Sequence, residues 1–247
     1  MGNSVIKNLI NKITPNKLVQ FYQQPIKNKY KTQLANGSIS YSQEGEDLLL
    51  SRIFDKQKNG FYVDIGAHHP YRFSNTMLFY KKGWRGINVD PLPGVKHLFE
   101  KYREEDVTIE KGVSKQKQRI TYFQFNEPAY NTFDKELATK RKEKSQLLKK
   151  IDIQCLPLSQ ILNDYPVSDI DFLTIDVEGW ELEVLMSIDW NNIVPRVIVL
   201  EVLDFDFEKY ENLNVYLFLK AKGYFLFSKL FHSTVFIHEN SKKLVKR

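Results

Sequence analysis

Two short stretches carry acids where chemistry can use them: FYVDIGAHHP at residues 61–70 and GINVDP at residues 86–91. Each is an apolar, β-rich run that meets an acid, Asp64 just inside the first and Asp90 closing the second, and each passes through turn residues into a helical pattern. This is how a nucleotide-binding βαβ unit opens. The loop after its first strand offers backbone N–H groups at a helix N-terminus, and an acid ending its second strand accepts hydrogen bonds from ribose hydroxyls. The candidate cofactor residues are therefore Asp64, Gly66, Ala67, His68, Asp90 and Pro91, with Gly112 and Val113 as adenine neighbours by position. After Gly66 the dinucleotide fingerprint requires glycines two and five places on. His68 and Tyr71 stand there, so the close approach of a pyrophosphate is not provided. S-adenosylmethionine has no phosphate and needs a single tight turn, which this loop supplies.

A second concentration of acids comprises Asp176, Glu178 and Glu181, in and just after DVEG, and Glu201. Asp176 and Glu201 fall at the tips of strands expected to be neighbours. Carboxylates that close repel, and the cost is relieved by a cation, a shared proton or a sulfonium charge. An all-oxygen Mg²⁺ site on Asp176 and Glu201 is one expectation, with Asp176 also facing the cofactor and Glu178 and Glu201 facing the substrate. The alternative for Glu178 and Glu181 is stabilisation at the start of a helix.

A hydroxyl that attacks a methyl group must lose its proton, and imidazole titrates in the useful range. His68 and His69 follow the cofactor turn and are the first candidates for that base; His232, in the tip of a terminal hairpin, is the second, and Asp176, as an acid of its group, is the catalytic alternative to the histidines. His97 and His238 are taken as structural or surface groups. Asn75, Tyr130 and Asn131 are loop polar groups expected to hydrogen-bond substrate or cofactor.

These groups need elements to hold them. The spacing predicts strands at 60–66, 85–90, 107–113, 119–125, 151–156, 170–176 and 196–202, and an antiparallel pair at 224–227 and 234–238. Helices are predicted at 44–53, 74–82, 95–102, 158–162, 181–188 and 213–222, and residues 135–150 read as an exposed helix or flap. Strands alternating with helices predict a doubly wound α/β Rossmann-like fold, its mostly parallel seven-stranded sheet ending in a C-terminal hairpin and gathering ligands at the strands' carboxyl ends. With 247 residues, 42% of them hydrophobic, the chain supports one such domain, here residues 41–247 after an N-terminal helical extension, 1–40. Within 1–22 a basic amphipathic pattern suits a helix on the domain, on a second subunit in a homodimer, or on a membrane surface.

The 36 Lys and Arg outnumber the 30 Asp and Glu, net +6, much of the excess lying in lysine runs that read as solvated surface. The single cysteine, Cys155, excludes a disulfide framework and a cysteine zinc site, and is consistent with a reducing, cytoplasmic setting. No apolar window reaches the length of a membrane span, and no secretory signal is expected.

With VDIGA, NVDP, NTF and TIDVEGWELEVL in place, residues 40–238 resemble the FkbM family of S-adenosylmethionine-dependent methyltransferases. The family commonly has lysine where Thr174 stands, so no lysine role carries over. The resemblance, to a subgroup associated with bacterial polysaccharide genes, implies O-methylation of a sugar, on a nucleotide- or lipid-linked precursor whose phosphate the basic side chains of Lys140, Arg141, Lys142 and Lys144 would hold. Two rivals remain open: methylation of RNA or a small molecule, and a catalytically silent binding subunit of a glycan assembly complex. No nucleic-acid partner is expected, since the chain has no RNA-binding appendage beyond its charge.

Overall fold

A computed structural model describes residues 37–165 and 169–246. Ser40–Arg247 forms one compact unit. The helices expected within residues 1–22, and the membrane and second-subunit contacts expected of them, lie outside the described residues. Among those described, no helix is long and apolar enough to cross a membrane.

The strands, in chain order, are β1 (Phe61–Ile65), β2 (Arg85–Asp90), β3 (Val107–Glu110), β4 (Gly112–Val113), β5 (Gln118–Phe125), β6 (Leu147–Leu156), β7 (Phe172–Ile175), β8 (Val197–Glu201), β9 (Tyr224–Lys229) and β10 (Ser233–His238). The helices are α1 (Glu46–Ile53), α2 (Met77–Lys81), α3 (Val95–Tyr102), α4 (Lys135–Arg141), α5 (Leu158–Asn163), α6 (Glu181–Met186) and α7 (Asn214–Ala221). Seven strands make one sheet in the order β3-β2-β1-β7-β8-β10-β9, parallel throughout except where β10 runs against both neighbours. The order reverses beside β1, the switch point where a doubly wound sheet binds its ligand.

Burial on both faces explains why these strands are nearly continuous apolar runs. Alternation sends Val63, Ile65, Leu173, Ile175, Ile198 and Leu200 into one core. Tyr62, Phe172, Val197 and Val199 face the other way, into an aromatic core with Phe54, Phe79 and Trp84.

One polar group lies deep on that second side. Arg103, at the end of α3, is wholly buried and donates to Asp106 (2.9 Å), Tyr62 (2.8 Å), Thr76 (3.0 Å) and Asn88 (3.2 Å). Asp106 also accepts from the Tyr62 hydroxyl and the Gly86 N–H.

Three expectations are corrected. The strand expected over 107–113 breaks at Lys111: β3 stays in the main sheet while β4 leaves it for a second, three-stranded sheet ordered β4-β6-β5. Glycine at 112 permits the close packing of β4 there, since a Cβ would overlap Cys155 Sγ. The strands expected at 119–125 and 151–156 both belong to this small sheet. The 135–150 segment is neither one helix nor a flap: Asp134 caps α4 by accepting the Leu137 N–H (2.8 Å), and the chain then extends from Leu147 to pair antiparallel with β5.

Candidate active site

The cofactor turn follows from strand pairing. Gly66 leaves β1 at φ +83°, its N–H donating to Val89 O (2.8 Å), and a Cβ there would overlap the carbonyl oxygen of Asp176. Only glycine lets β1 and β7 approach so closely at this turn. His68 follows with a positive φ of 52° and donates its N–H to Asp90 Oδ2 (2.8 Å); Asp90 Oδ1 accepts the Leu92 N–H (2.7 Å). Asp90 is thereby fixed at the end of β2 with lone pairs to spare. Burial pushes its carboxyl up to about 6, against the opposing pull of those two N–H groups, so it is ionised at neutral pH.

A cleft enclosing about 790 Å³, open mouth included, runs from this turn to the small sheet. Gly66, His68, Asp90 and Pro91 form one wall, and Val113, Asn131, Phe133, Asp176 and Trp180 much of the rest. Trp180 Nε1 and His68 Nε2 are buried on it without a hydrogen-bond partner. Apolar walls, an ionised acid at the tip of β2, an open glycine turn and unsatisfied polar atoms fit the adenosine part of S-adenosylmethionine, with Asp176 at the end suited to positive charge.

Several sequence candidates lie elsewhere. Asp64 does not line the cleft: its side chain turns beneath the loop, accepts from Thr76 Oγ1 (2.8 Å), and is pushed up to about 6 by burial against the attraction of Arg103. Ala67 packs beside Val95 and Phe99. Gly112 is enclosed by Cys155 and Phe133. Asn75 donates to Thr174 Oγ1 (2.9 Å), a link from the loop before α2 to β7. His69 Nδ1 accepts the N–H groups of Tyr71 and Arg72 (3.0 Å each) and so caps its own turn. His68 stacks on Phe73 at 6.3 Å, and burial, then the Arg72 charge, pushes its imidazole down to about 4.

A second, wider cleft adjoins the first, sharing Gln43, Phe73, Ala129 and Glu178 with it. Tyr130, Arg72, Lys140, Arg141 and Lys144 lie around it, with Glu201 and His232 opposite. Neighbouring strands bring the acids together: one carboxylate oxygen each of Asp176, Glu178 and Glu201 lies within 4.8 Å of the others. Loss of solvation among the packed acids raises all three carboxyls, although Asp176 is exposed and Glu178 and Glu201 are half-buried, and mutual repulsion adds to the shift for Asp176 and Glu201. Arg141 from α4 pairs with Glu178, opposing its shift, whereas Glu201 Oε2 is buried without a partner. His232 joins this edge because β10 runs antiparallel to β8, pairing Ser233 with Glu201, while Val202 donates its N–H to His232 O (2.9 Å).

Sequence reasoning missed Glu44, Phe73, Phe133 and Trp180. Trp180 could have been found beside DVEG. Phe73 gave no signal, although it lines both clefts at a positive φ of 57°. Glu44 hydrogen-bonds His232 across 188 residues, a contact no local pattern encodes.

A search of curated proteins finds no match. Among solved structures the chain is similar to a TehB-like SAM-dependent methyltransferase from Corynebacterium glutamicum, at 12% identity and TM-score 0.41, covering 89% of this chain and 100% of that one. It is also similar to an O-methyltransferase from Bacillus cereus in complex with SAH (10% identity, TM-score 0.38, covering 94% and 96%). A third is the 1,6-didemethyltoxoflavin-N1-methyltransferase of Burkholderia thailandensis (10% identity, TM-score 0.38, covering 88% of each chain). The model of the methyltransferase FkbM domain matches residues 64–226, more than half of the sequence and the whole span from β1 into β9. The chain therefore belongs to the FkbM family of S-adenosylmethionine-dependent methyltransferases.

Proposed function

We propose that this enzyme, working in the cytoplasm, methylates a sugar hydroxyl on a nucleotide- or lipid-linked glycan precursor. The observation that carries this reading is the junction of the two clefts at Phe73, Ala129 and Glu178. A cofactor on Asp90 and an acceptor in the outer cleft would meet there. Bound at Asp90, S-adenosylmethionine would supply the methyl group, its sulfur–carbon bond breaking as the new oxygen–carbon bond forms; this chain's residues would orient the acceptor hydroxyl and take its proton. Orientation of the reactants accounts for much of the rate in such a transfer.

Of the three histidines, His232 suits the base. His69 is committed to its turn, and an imidazole held near 4, as His68 is, is a weak proton acceptor. Lys140 and Lys144, exposed at the outer cleft, suit an anionic carrier, and Tyr130 a sugar face. The test is transfer of labelled methyl to a panel of nucleotide sugars, followed by calorimetry with the cofactor. Transfer to a sugar supports the reading. Cofactor binding without transfer to any sugar turns the reading toward RNA or another small molecule, and absence of cofactor binding toward a silent module.

A second element of the reading concerns Mg²⁺. The unpartnered Glu201 Oε2 beside Asp176 suits a divalent ion that holds substrate oxygens, with Glu178 already neutralised by Arg141. Loss of transfer in chelator with cofactor binding retained, and restoration by Mg²⁺, is the expected result. Full activity in chelator leaves the acids as hydrogen-bonding groups.

A further inference from the structure

We propose that Glu44 is a positioning residue: its carboxylate keeps the His232 imidazole protonated on Nδ1, so that Nε2 is the atom that takes the acceptor's proton. The proposal rests on His232 being the base, and it assigns a task to a loop far from it in sequence.

Glu44 Oε1 lies 2.7 Å from His232 Nδ1. The same carboxylate accepts the His232 backbone N–H at 2.9 and 3.0 Å, and the Ser233 N–H at 3.4 Å. Burial alone would raise this carboxyl, but the two backbone donors and the imidazole outweigh it and hold it below the usual range. An ionised carboxylate only accepts hydrogen bonds, so the ring nitrogen facing it must carry the proton. In the neutral ring the other nitrogen then carries the lone pair, on a side chain 35% exposed and lining the outer cleft with Glu178 and Glu201.

The carboxylate is itself held. Glu44 donates its own N–H to Glu46 Oε2 (2.8 Å), and Glu46 Oε1 accepts from Ser233 Oγ (2.8 Å). Gly45 stands between the two glutamates at φ +88°, a conformation that suits glycine. Two adjoining acids thus grip two adjoining residues of the β10 entrance, and only the Glu44 half touches the imidazole. A loop that merely stapled the hairpin would work through both halves, and this difference separates the two roles.

The experiment uses the full chain, ¹⁵N-labelled, with long-range proton–nitrogen correlation of the His232 ring at pH 8, where the neutral tautomers are resolved. In the unaltered chain His232 is expected to be protonated on Nδ1, and Glu44→Gln is expected to shift population to the Nε2-protonated form. Ser233→Ala, which removes only the Glu46 half, should leave the tautomer unchanged. With an acceptor found in the nucleotide-sugar panel, Glu44→Gln should lower kcat by about 10–100-fold with KM within about threefold, and Glu44→Asp should recover part of the loss. Retained cofactor affinity by calorimetry certifies that each variant is folded. If Glu44→Gln does not fold, Glu44→Asp and the tautomer of the unaltered chain decide. An Nε2-protonated His232 in the unaltered chain, an identical tautomer in the Glu44 variants, or equal effects of Ser233→Ala and Glu44→Gln would overturn the proposal. The tautomer is read without any acceptor, so failure of the sugar assignment leaves this result standing.

Discussion

Asp90 is the residue on which the proposed cofactor site turns. Its carboxylate is oriented by two backbone N–H groups and ends β2 where ribose hydroxyls can reach it. Asp90→Ala is expected to weaken cofactor binding by about 1.5–3 kcal/mol, the range for hydrogen bonds to a charged group, measured by calorimetry. The sign of the pH effect follows from its raised carboxyl. The group is ionised above about 6 and protonated below, so cofactor affinity should fall as pH drops through 6 in the parent chain, and not in the variant. Affinity that ignores both changes removes Asp90 from the site. Among the histidines, His232→Ala is expected to lower kcat by about 10²–10⁴ while cofactor affinity stays within a few-fold; near-normal turnover would return the role to His68, His69 or the acids.

The elements are held in register by a buried polar connection. Arg103 closes α3 and ties it to Tyr62 in β1, Asn88 in β2 and Thr76 at the start of α2, and Thr76 passes the connection on to Asp64. Asp64 therefore supports the cofactor turn from below. Removing the guanidinium would leave the wholly buried Asp106 side chain without its cation. Arg103→Met is expected to cost about 3–5 kcal/mol in urea denaturation, the range for breaking a buried ion pair from one side. A loss below about 1 kcal/mol would mean that the surrounding hydroxyls and amides satisfy Asp106 unaided.

At the scale of the molecule, six carboxyls at and near the strand tips shift in one direction, although Asp176 is exposed and Glu178 and Glu201 are only half-buried. Asp64 and Asp90 are pushed up to about 6 and Glu181 to about 7, in each case chiefly by burial, and Asp176, Glu178 and Glu201 are raised as well. Each folded value exceeds the ordinary carboxyl value of about 4, so between that value and the folded one the folded state holds more protons than the unfolded state. Stability is greatest below the unfolded values and is lost as pH rises through the folded ones, by up to about 1.4 kcal/mol per pH unit for each extra proton held. The urea midpoint of the cofactor-free chain is expected to fall from pH 5 to pH 8, and to fall less in Glu181→Gln. A flat or rising midpoint would show that the acids are relieved in the folded chain by some other cation.

The main sheet was legible from residues alone because its signals are local: apolar runs ending at Asp90 and Glu201, a glycine where β1 must turn, and helical patterns between them. The same locality identified the acids of DVEG and the terminal hairpin. Parallel strands joined by helices leave few alternative orders, so Asp176 and Glu201 were placed on neighbouring tips without coordinates. What the sequence could not determine depends on contacts between distant segments. Gly112 and Val113 adjoin in sequence, yet one is enclosed by Cys155 and the other lines the first cleft. The lysine-rich stretch after 135 divides into a capped helix and a strand because Leu147–Leu156 finds a partner in Gln118–Phe125. Asp64 and Asp90 look equivalent as acids on strands, but the residue preceding Ile65 points beneath the turn whereas the last residue of β2 points into the cleft. Period-two alternation and the position of Arg103 make that choice, and only the folded chain brings Glu44 to His232.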